Sequence, residues 1–284
     1  MRTIHDLICR VILIGVWHSF AMPVMAQTRV VGEDLEQKNL DTASRLTRSS
    51  ASKYEMRISG SDKPLDLRAE PILKWSNPEI GQIYGNVFIW TNEGRPAVVG
   101  SLFKWFDPLT HMSHEFHSLS PGELTAVYDG VQTWKTSKPG VAFELIPGMA
   151  DVAGTASGRL IQMRQLARAF TARSIDKKGM KLELRQLTQP VYRYELGMDP
   201  GGLVDGALFA FVQGTDPEVW LLIEARRADA KSAPKWHYAV ARMNSIDLTV
   251  QFDGRPVWHG EPLPHQSVYA NHELPYTSFR FDDP

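Results

Sequence analysis

The chain has 284 residues, with 31 basic against 32 acidic side chains and a formal net charge of −1. That balance leaves no electrostatic footprint for nucleic acid or anionic lipid. The single cysteine, Cys9, sits before an N-terminal apolar run, so residues 27–284 hold no disulfide, thiolate metal site or cysteine nucleophile.

Residues 1–26 read as a cleavable export signal. Arg2 and Arg10 give a basic start, Val11 to Trp17 an apolar core, and Pro23 breaks the segment before Val24-Met25-Ala26. The apolar core falls short of the roughly 20 residues that span a bilayer, so cleavage after Ala26 and a mature form without membrane anchor are expected. The absence of Asn-x-Ser/Thr sites and of later cysteines favours a bacterial periplasm or exterior.

Residues 27–52 are polar and aperiodic and are expected as a flexible lead-in, with room for a short helix around 34–46. A single β-rich globular domain is expected over residues 53–284, or alternatively two lobes joined by a helix at 157–174. Tyr54, Met56 and Ile58 alternate with polar residues before Gly60-Ser61-Asp62 and Leu65-Asp66-Leu67, a hairpin pattern. Gly85 to Phe106 is the clearest hairpin, turning at Asn92-Glu93-Gly94, with Pro96 confined to a strand start or edge. Leu124 to Trp134 repeats the pattern around Asp129-Gly130, and 142–146 adds a short strand.

The period changes between Ser157 and Ser174. Leu160, Met163, Ala167 and Phe170 share one helical face, which should lie against a sheet, with Ser157 as N-cap. Two hairpins are then expected, Ala207–Val212 with Val219–Ala225 and Trp236–Met243 with Leu248–Trp258. In the first, both alternating faces are apolar, which marks central strands covered on each side by a second sheet or the helix. The spacing from Asp129-Gly130 to Trp134 recurs from Asp253-Gly254 to Trp258, too brief a match to establish a repeat. The fold class expected is α+β: mainly antiparallel hairpins with one substantial amphipathic helix packed on the sheet.

The search for chemistry centres on His111-Met112-Ser113-His114-Glu115-Phe116-His117. On a strand His111 and His117 share a face but stand about 20 Å apart, and His114 points the other way, so the three cannot ligate one ion. Met112 and Phe116 should face the core, with His111, Glu115 and His117 outward on a solvated face. Glu115 and His117 remain a weak half-site that would need ligands from His237, His259, His265 or His272; no metal and no cofactor is expected. Gly154 to Gly158 misplaces its serine for a nucleophile elbow, and the two Ser-x-x-Lys matches, at Ser50 and Ser174, lack companion motifs. Phosphate-binding glycine loops are absent. Carboxylates for glycoside hydrolysis cannot be paired from sequence, and Glu115, Glu123, Asp129 and Glu144 form the pool.

Trp134 and Trp258, just beyond Asp-Gly turns, are expected to be exposed and to form a ligand-binding surface, because interfaces favour tryptophan. With no catalytic motif, the leading expectation is an exported, non-enzymatic binding or interaction protein, its ligand a polysaccharide or an apolar small molecule. A secreted hydrolase, metal-assisted around Glu115 and His117, is the first alternative, and a structural part of an envelope assembly the second. Oligomeric state is not encoded in any motif.

Overall fold

The computed structural model describes residues 24–196 and 202–282, which divide between two compact units at Lys38/Asn39. The expected export signal lies outside the described residues, apart from its last three positions, where the first helix begins. In chain order α1 (Val24–Ala51) is followed by β1 (Tyr54–Ile58), β2 (Asp66–Leu67), β3 (Leu73–Ser76), β4 (Gln82–Asn92) and β5 (Arg95–Asp107). Then come β6 (His111–Ser118), β7 (Leu124–Tyr128), β8 (Val131–Lys135), β9 (Glu144–Leu145), α2 (Ala156–Arg168), β10 (Phe170–Ile175), β11 (Lys181–Gln186) and β12 (Tyr192–Arg193). The remainder is β13 (Leu203–Gln213), β14 (Asp216–Arg226), β15 (Lys235–Arg242), β16 (Asp247–Phe252), β17 (Arg255–Gly260), α3 (His265–Tyr269) and β18 (Tyr276–Phe281).

The first unit, in its described part, holds the beginning of α1. The expected lead-in is therefore helical rather than mainly irregular. From Asn39 onward small residues four apart, Ala43, Thr47 and Ala51, are buried, and this spacing stacks them on one face. Asn86 on β4 donates to the Thr47 hydroxyl at 2.7 Å, so a polar pattern without an apolar stripe still docks.

Among the described residues the strands form three antiparallel sheets. A three-stranded sheet has the order β1-β7-β8. A six-stranded sheet runs β18-β6-β5-β4-β2, with β3 also on β4. A nine-stranded sheet runs β17-β16-β10-β11-β13-β14-β15-β9, with β12 also on β13. The fold is thus α+β and mainly antiparallel β, as the sequence implies.

Both faces of the central strands are indeed covered. Val87, Ile89 and Val99 of the six-stranded sheet meet Leu208, Trp220 and Leu222 of the nine-stranded sheet. On the far side of the nine-stranded sheet Phe209, Phe211 and Leu221 pack against Met163, Leu166 and Ala167 of α2. On the far side of the six-stranded sheet Phe88, Trp90 and Phe116 pack against Met56, Leu124 and Trp134 of the three-stranded sheet. Three tight turns combine a positive-φ residue with glycine: Glu93-Gly94 (50° and 82°), Asp129-Gly130 (50° and 82°) and Asp253-Gly254 (47° and 75°). These are the φ signs of the hairpin turn whose twist matches paired strands.

Long-range pairing departs from the expected hairpins. β1 pairs with β7, and Asp66–Leu67 join β4, so only a Leu65 N–H bond to Met56 O at 2.7 Å remains of the expected hairpin. β15 pairs with β14 and β9, while β16 pairs with β10 and β17, so Trp236–Met243 and Leu248–Trp258 are not partners. The amphipathic helix stops at Arg168, and Phe170 opens β10 while filling the same core that Met163 and Ala167 enter. Its N-cap is Thr155, not Ser157: the threonine hydroxyl accepts from Gly158 N–H at 3.1 Å.

Strand β6 corrects a further expectation. Phe116 does face the core shared with the three-stranded sheet, Met112 is buried at an alternating position on the same side, and His114 points with them to Tyr54. The opposite face is not solvated: His111 and His117 are each 5% exposed. β6 lies between β5 and β18, and the nine-stranded sheet covers its polar side.

Candidate functional site

A cavity of about 630 Å³ opens between the two large sheets, where β14 begins and β5 ends. Period-two alternation sends His111, Ser113 and Glu115 of β6 toward it. Trp105 on the neighbouring strand stacks on His111 at 5.5 Å and 18°, a cross-strand ring pair that fixes the wall. Trp75 of β3 adds a second indole, held by its Nε1–H donating to Ser101 Oγ at 2.9 Å. Gly85 makes that position possible, because a Cβ there would fall 2.3 Å from the Trp75 ring.

The opposite wall comes from the start of β14. Asp216 and Glu218 flank Pro217, and the same alternation puts both carboxyls on the cavity side. Thr215 locks this turn to β3, its hydroxyl accepting from Ser76 N–H at 2.9 Å and donating to Ser76 O at 2.8 Å. Asn244 Nδ2 donates to Glu218 at 2.7 Å, and Asn77 Nδ2 reaches Asp216 at 3.4 Å. Helix α3 and β18 close the site with His265, Tyr269, Tyr276 and Arg280.

Three carboxyls therefore face one space, and none of them forms an ion pair among the described residues. Burial pushes Glu115 up to about 8, with the Glu218 charge adding to the effect and the Tyr276 hydroxyl, which donates to it, working the other way. Burial likewise raises Glu218 to about 7, against the Asn244 hydrogen bond. Asp216 is held well above the usual carboxylate range by burial first, then by the charges of Glu218 and Glu115. Arg242, the nearby buried cation, gives its donors to the carbonyls of Asn244, Glu261 and Ile246 at 2.6–2.8 Å rather than to these acids. Near neutral pH Glu115 and Glu218 hold protons that can be given up or taken back, the property that general acid–base groups and proton-linked binding sites share.

At the opposite end of the same inter-sheet core, Glu224 is fully buried but enclosed by donors. It accepts from Arg95 Nε at 3.0 Å, from Tyr194 O–H at 2.9 Å and from Arg226 Nε. The two guanidinium groups lie over Phe143 at 5.3 and 4.0 Å from its ring centre.

Of the residues expected to carry function, Glu115, His111 and His265 line one cavity, and Glu115 alone of the four pooled carboxylates does so. Glu123 is an exposed loop residue, Asp129 forms a turn, and Glu144 accepts from Tyr238 O–H at 2.6 Å on the far side of β15. His117 donates its Nε2–H to Gly140 O at 3.1 Å, and burial pushes it down to about 4. His114 meets the Tyr54 hydroxyl at 2.9 Å on the other face and is pushed down to about 3 by burial. The three histidines do not converge. His237 and His272 make their own hydrogen bonds, to Lys235 O and Thr277 Oγ1, and His265 lines the cavity.

Trp134 is buried rather than exposed. It stacks on Phe116 at 5.9 Å, and its Nε1–H donates to Leu274 O at 2.8 Å, because β8 turns this residue toward the six-stranded sheet. Trp258 is half-buried, folded over Gly260 against the core behind the nine-stranded sheet. The two belong to different sheets and form no common surface.

Asp247, His259 and Glu261 are the group of potential metal-ligand atoms that lie within 4.8 Å of one another among the described residues. His259 has a carboxylate at 3.2 Å from each ring nitrogen, Asp247 on one side and Glu261 on the other. Asp216 and Glu218 were not visible as site residues, since a Gly-Thr-Asp-Pro-Glu run reads as an ordinary turn; two acids two apart at the mouth of an otherwise apolar strand is the signal that could have found them. No family model, curated protein or solved structure matches this chain.

Proposed function

We propose that this is an exported binding protein whose cavity takes a small organic ligand with substantial apolar surface. The observation that carries the reading is the cavity itself, walled by Trp75, Trp105 and Phe103 and carrying convergent polar groups from β6, β14 and β18. Its volume falls in the range of roughly 300–1,000 Å³ usual for small-molecule sites. A polysaccharide is less well served, because the tryptophans expected to offer an open stacking face are buried or half-buried. Export rests on the residues of the first 26 positions and is part of the proposal. The test is a thermal-shift screen of small amphipathic compounds. Ligands should raise the Tm of the wild type and of Trp258→Ala but not of Trp105→Ala. A screen without hits, or hits indifferent to Trp105, would overturn it.

A hydrolase is the second reading, and the carboxyl trio favours it: a protonated Glu115 beside Glu218 supplies an acid and a base in one cleft. Hydrolysis of nitrophenyl glycosides or esters that falls at least 100-fold in Glu115→Gln would make this the function.

A further inference from the structure

We propose that the ligand is an organic cation, with the aromatic walls holding its carbon skeleton and Glu115, Asp216 and Glu218 holding an ammonium or amidinium group. This inference rests on the binding reading and names its ligand class. Two independent features lead to it. The first is a half-enclosed space with two indoles, Trp75 and Trp105, whose faces attract a cation as well as a hydrocarbon. The second is a charge imbalance inside that space: three acids with no ion-pair partner among the described residues, while Arg242 nearby gives its hydrogen bonds to carbonyls.

A metal ion fits less well. The trio is not among the sets of side chains whose ligand atoms come within 4.8 Å of one another. Acids spread around a volume of about 630 Å³ suit a charge carried on a bulky skeleton. An anion would meet all three carboxyls, and the cations facing the space, exposed Arg280 and His265, do not outnumber them.

Binding is then coupled to protons. Burial holds the acids above the usual carboxylate range, and the groups facing them are His111 and His117 on β6, Tyr276 and Arg280 on β18, His265 and Tyr269 on α3, and Arg242 on β15. When the ammonium enters, a carboxylic acid loses its proton to solvent and the carboxylate so formed pairs with the ligand. No bond other than O–H is broken. Affinity for the cation therefore rises with pH through the neutral range, while affinity for a neutral analogue does not.

Three probes with the same phenyl–alkyl skeleton separate these outcomes: phenethylamine, phenethyl alcohol and 3-phenylpropanoate, titrated calorimetrically into the full chain at pH 8.5 and 6.0. At pH 8.5 the amine should bind at least tenfold more tightly than the alcohol, and the acid least. At pH 6.0 that advantage should shrink at least tenfold. Titration at pH 7 in two buffers of different ionisation enthalpy should show about one proton released per amine bound. The triple variant Glu115→Gln, Asp216→Asn, Glu218→Gln should bring amine affinity down to that of the alcohol, while Glu123→Gln, an exposed acid outside the cavity, should leave it unchanged. Thermal unfolding of the triple variant checks that it is folded; should it not be, Glu218→Gln alone must reduce the amine advantage at least threefold. Equal binding of amine and alcohol at both pH values overturns the cation inference and leaves the binding reading standing. Failure of all three probes to bind overturns both.

Discussion

The two ends of the inter-sheet core treat buried carboxyls in opposite ways. Around Glu224 the chain supplies two guanidinium groups and a tyrosine hydroxyl, so a charge with no exposed surface is fully partnered. Asp205 is handled similarly, accepting from Arg159 at 2.8 Å and Arg193 at 2.6 Å where α2 meets β13. Around Glu115, Asp216 and Glu218 the chain supplies amides and a hydroxyl but, among the described residues, no ion-paired cation. Burying a charge costs several kcal/mol unless it is paired, and at this end burial shifts Glu115 and Glu218 toward their neutral form instead. The partnered end is architecture, and the unpartnered end is where an external group can supply what is missing.

The sharpest way to break this contrast is to remove the acid at the partnered end. Glu224→Gln leaves Arg95 and Arg226 facing a neutral amide in a buried site, and stability should fall by about 3–5 kcal/mol in urea unfolding at pH 7. A loss under about 1 kcal/mol would mean that the arginines are satisfied elsewhere and that the two ends do not differ in kind.

The same exchange at the other end should act with the opposite sign. Glu218 has a folded pKa of about 7 against 4.5 for the free group. The folded chain therefore holds the proton more tightly, and the stabilisation from it is complete below about pH 4.5 and lost as pH climbs through 7. Glu115, raised to about 8, extends that loss to about pH 8. His114 and His117 work on the acid side: pushed down from 6.5 to about 3 and 4, they contribute stability above pH 6.5 that is lost as the pH falls toward those values. Glu218→Gln should flatten only the limb above pH 4.5, gaining about 1–3 kcal/mol at pH 8.5 and almost nothing at pH 4. A destabilised variant at pH 8.5 would place a cation beside Glu218.

Much of the fold was legible because it is local. Glu93-Gly94, Asp129-Gly130 and Asp253-Gly254 declare their turns through residues that tolerate positive φ, and the doubly apolar runs at 207–212 and 219–223 declare strands with a layer on each side. The partners of β1, β15 and β16 were not legible, since alternation assigns a residue to a face without naming the strand beside it. For the same reason His111, Ser113, Glu115 and His117 read as a wetted face: period two separates them from Met112, His114 and Phe116, but the cover arrives from β14 and β18, some 100 and 160 residues later. Glu115 was in view as one of four acids, whereas its partnership with Asp216 and Glu218 exists only once two sheets face each other. The tryptophans misled because a position just past a tight turn says nothing about which layer the hairpin lies against.

The smallest expected effect compares two tyrosines in matching roles. Tyr194 donates to Glu224 at 2.9 Å, and Tyr276 donates to Glu115. Tyr194→Phe removes one of three donors from a carboxylate paired with two arginines, so it should cost about 1.5–3 kcal/mol, the range for hydrogen bonds to charged groups. Tyr276→Phe removes a donor from a carboxyl that is protonated below about pH 8, so at pH 5.5 the loss should be nearer the 0.5–1.5 kcal/mol of a neutral hydrogen bond. Raising the pH to 8.5 forces Glu115 to ionise without that donor and should widen the Tyr276→Phe deficit. The Tyr194→Phe deficit should keep its size, because its carboxylate is already paired. Parallel pH profiles for the two variants would show that Glu115 and Glu224 sit in equivalent electrostatic surroundings, and the contrast between the two ends would fail at its most direct point.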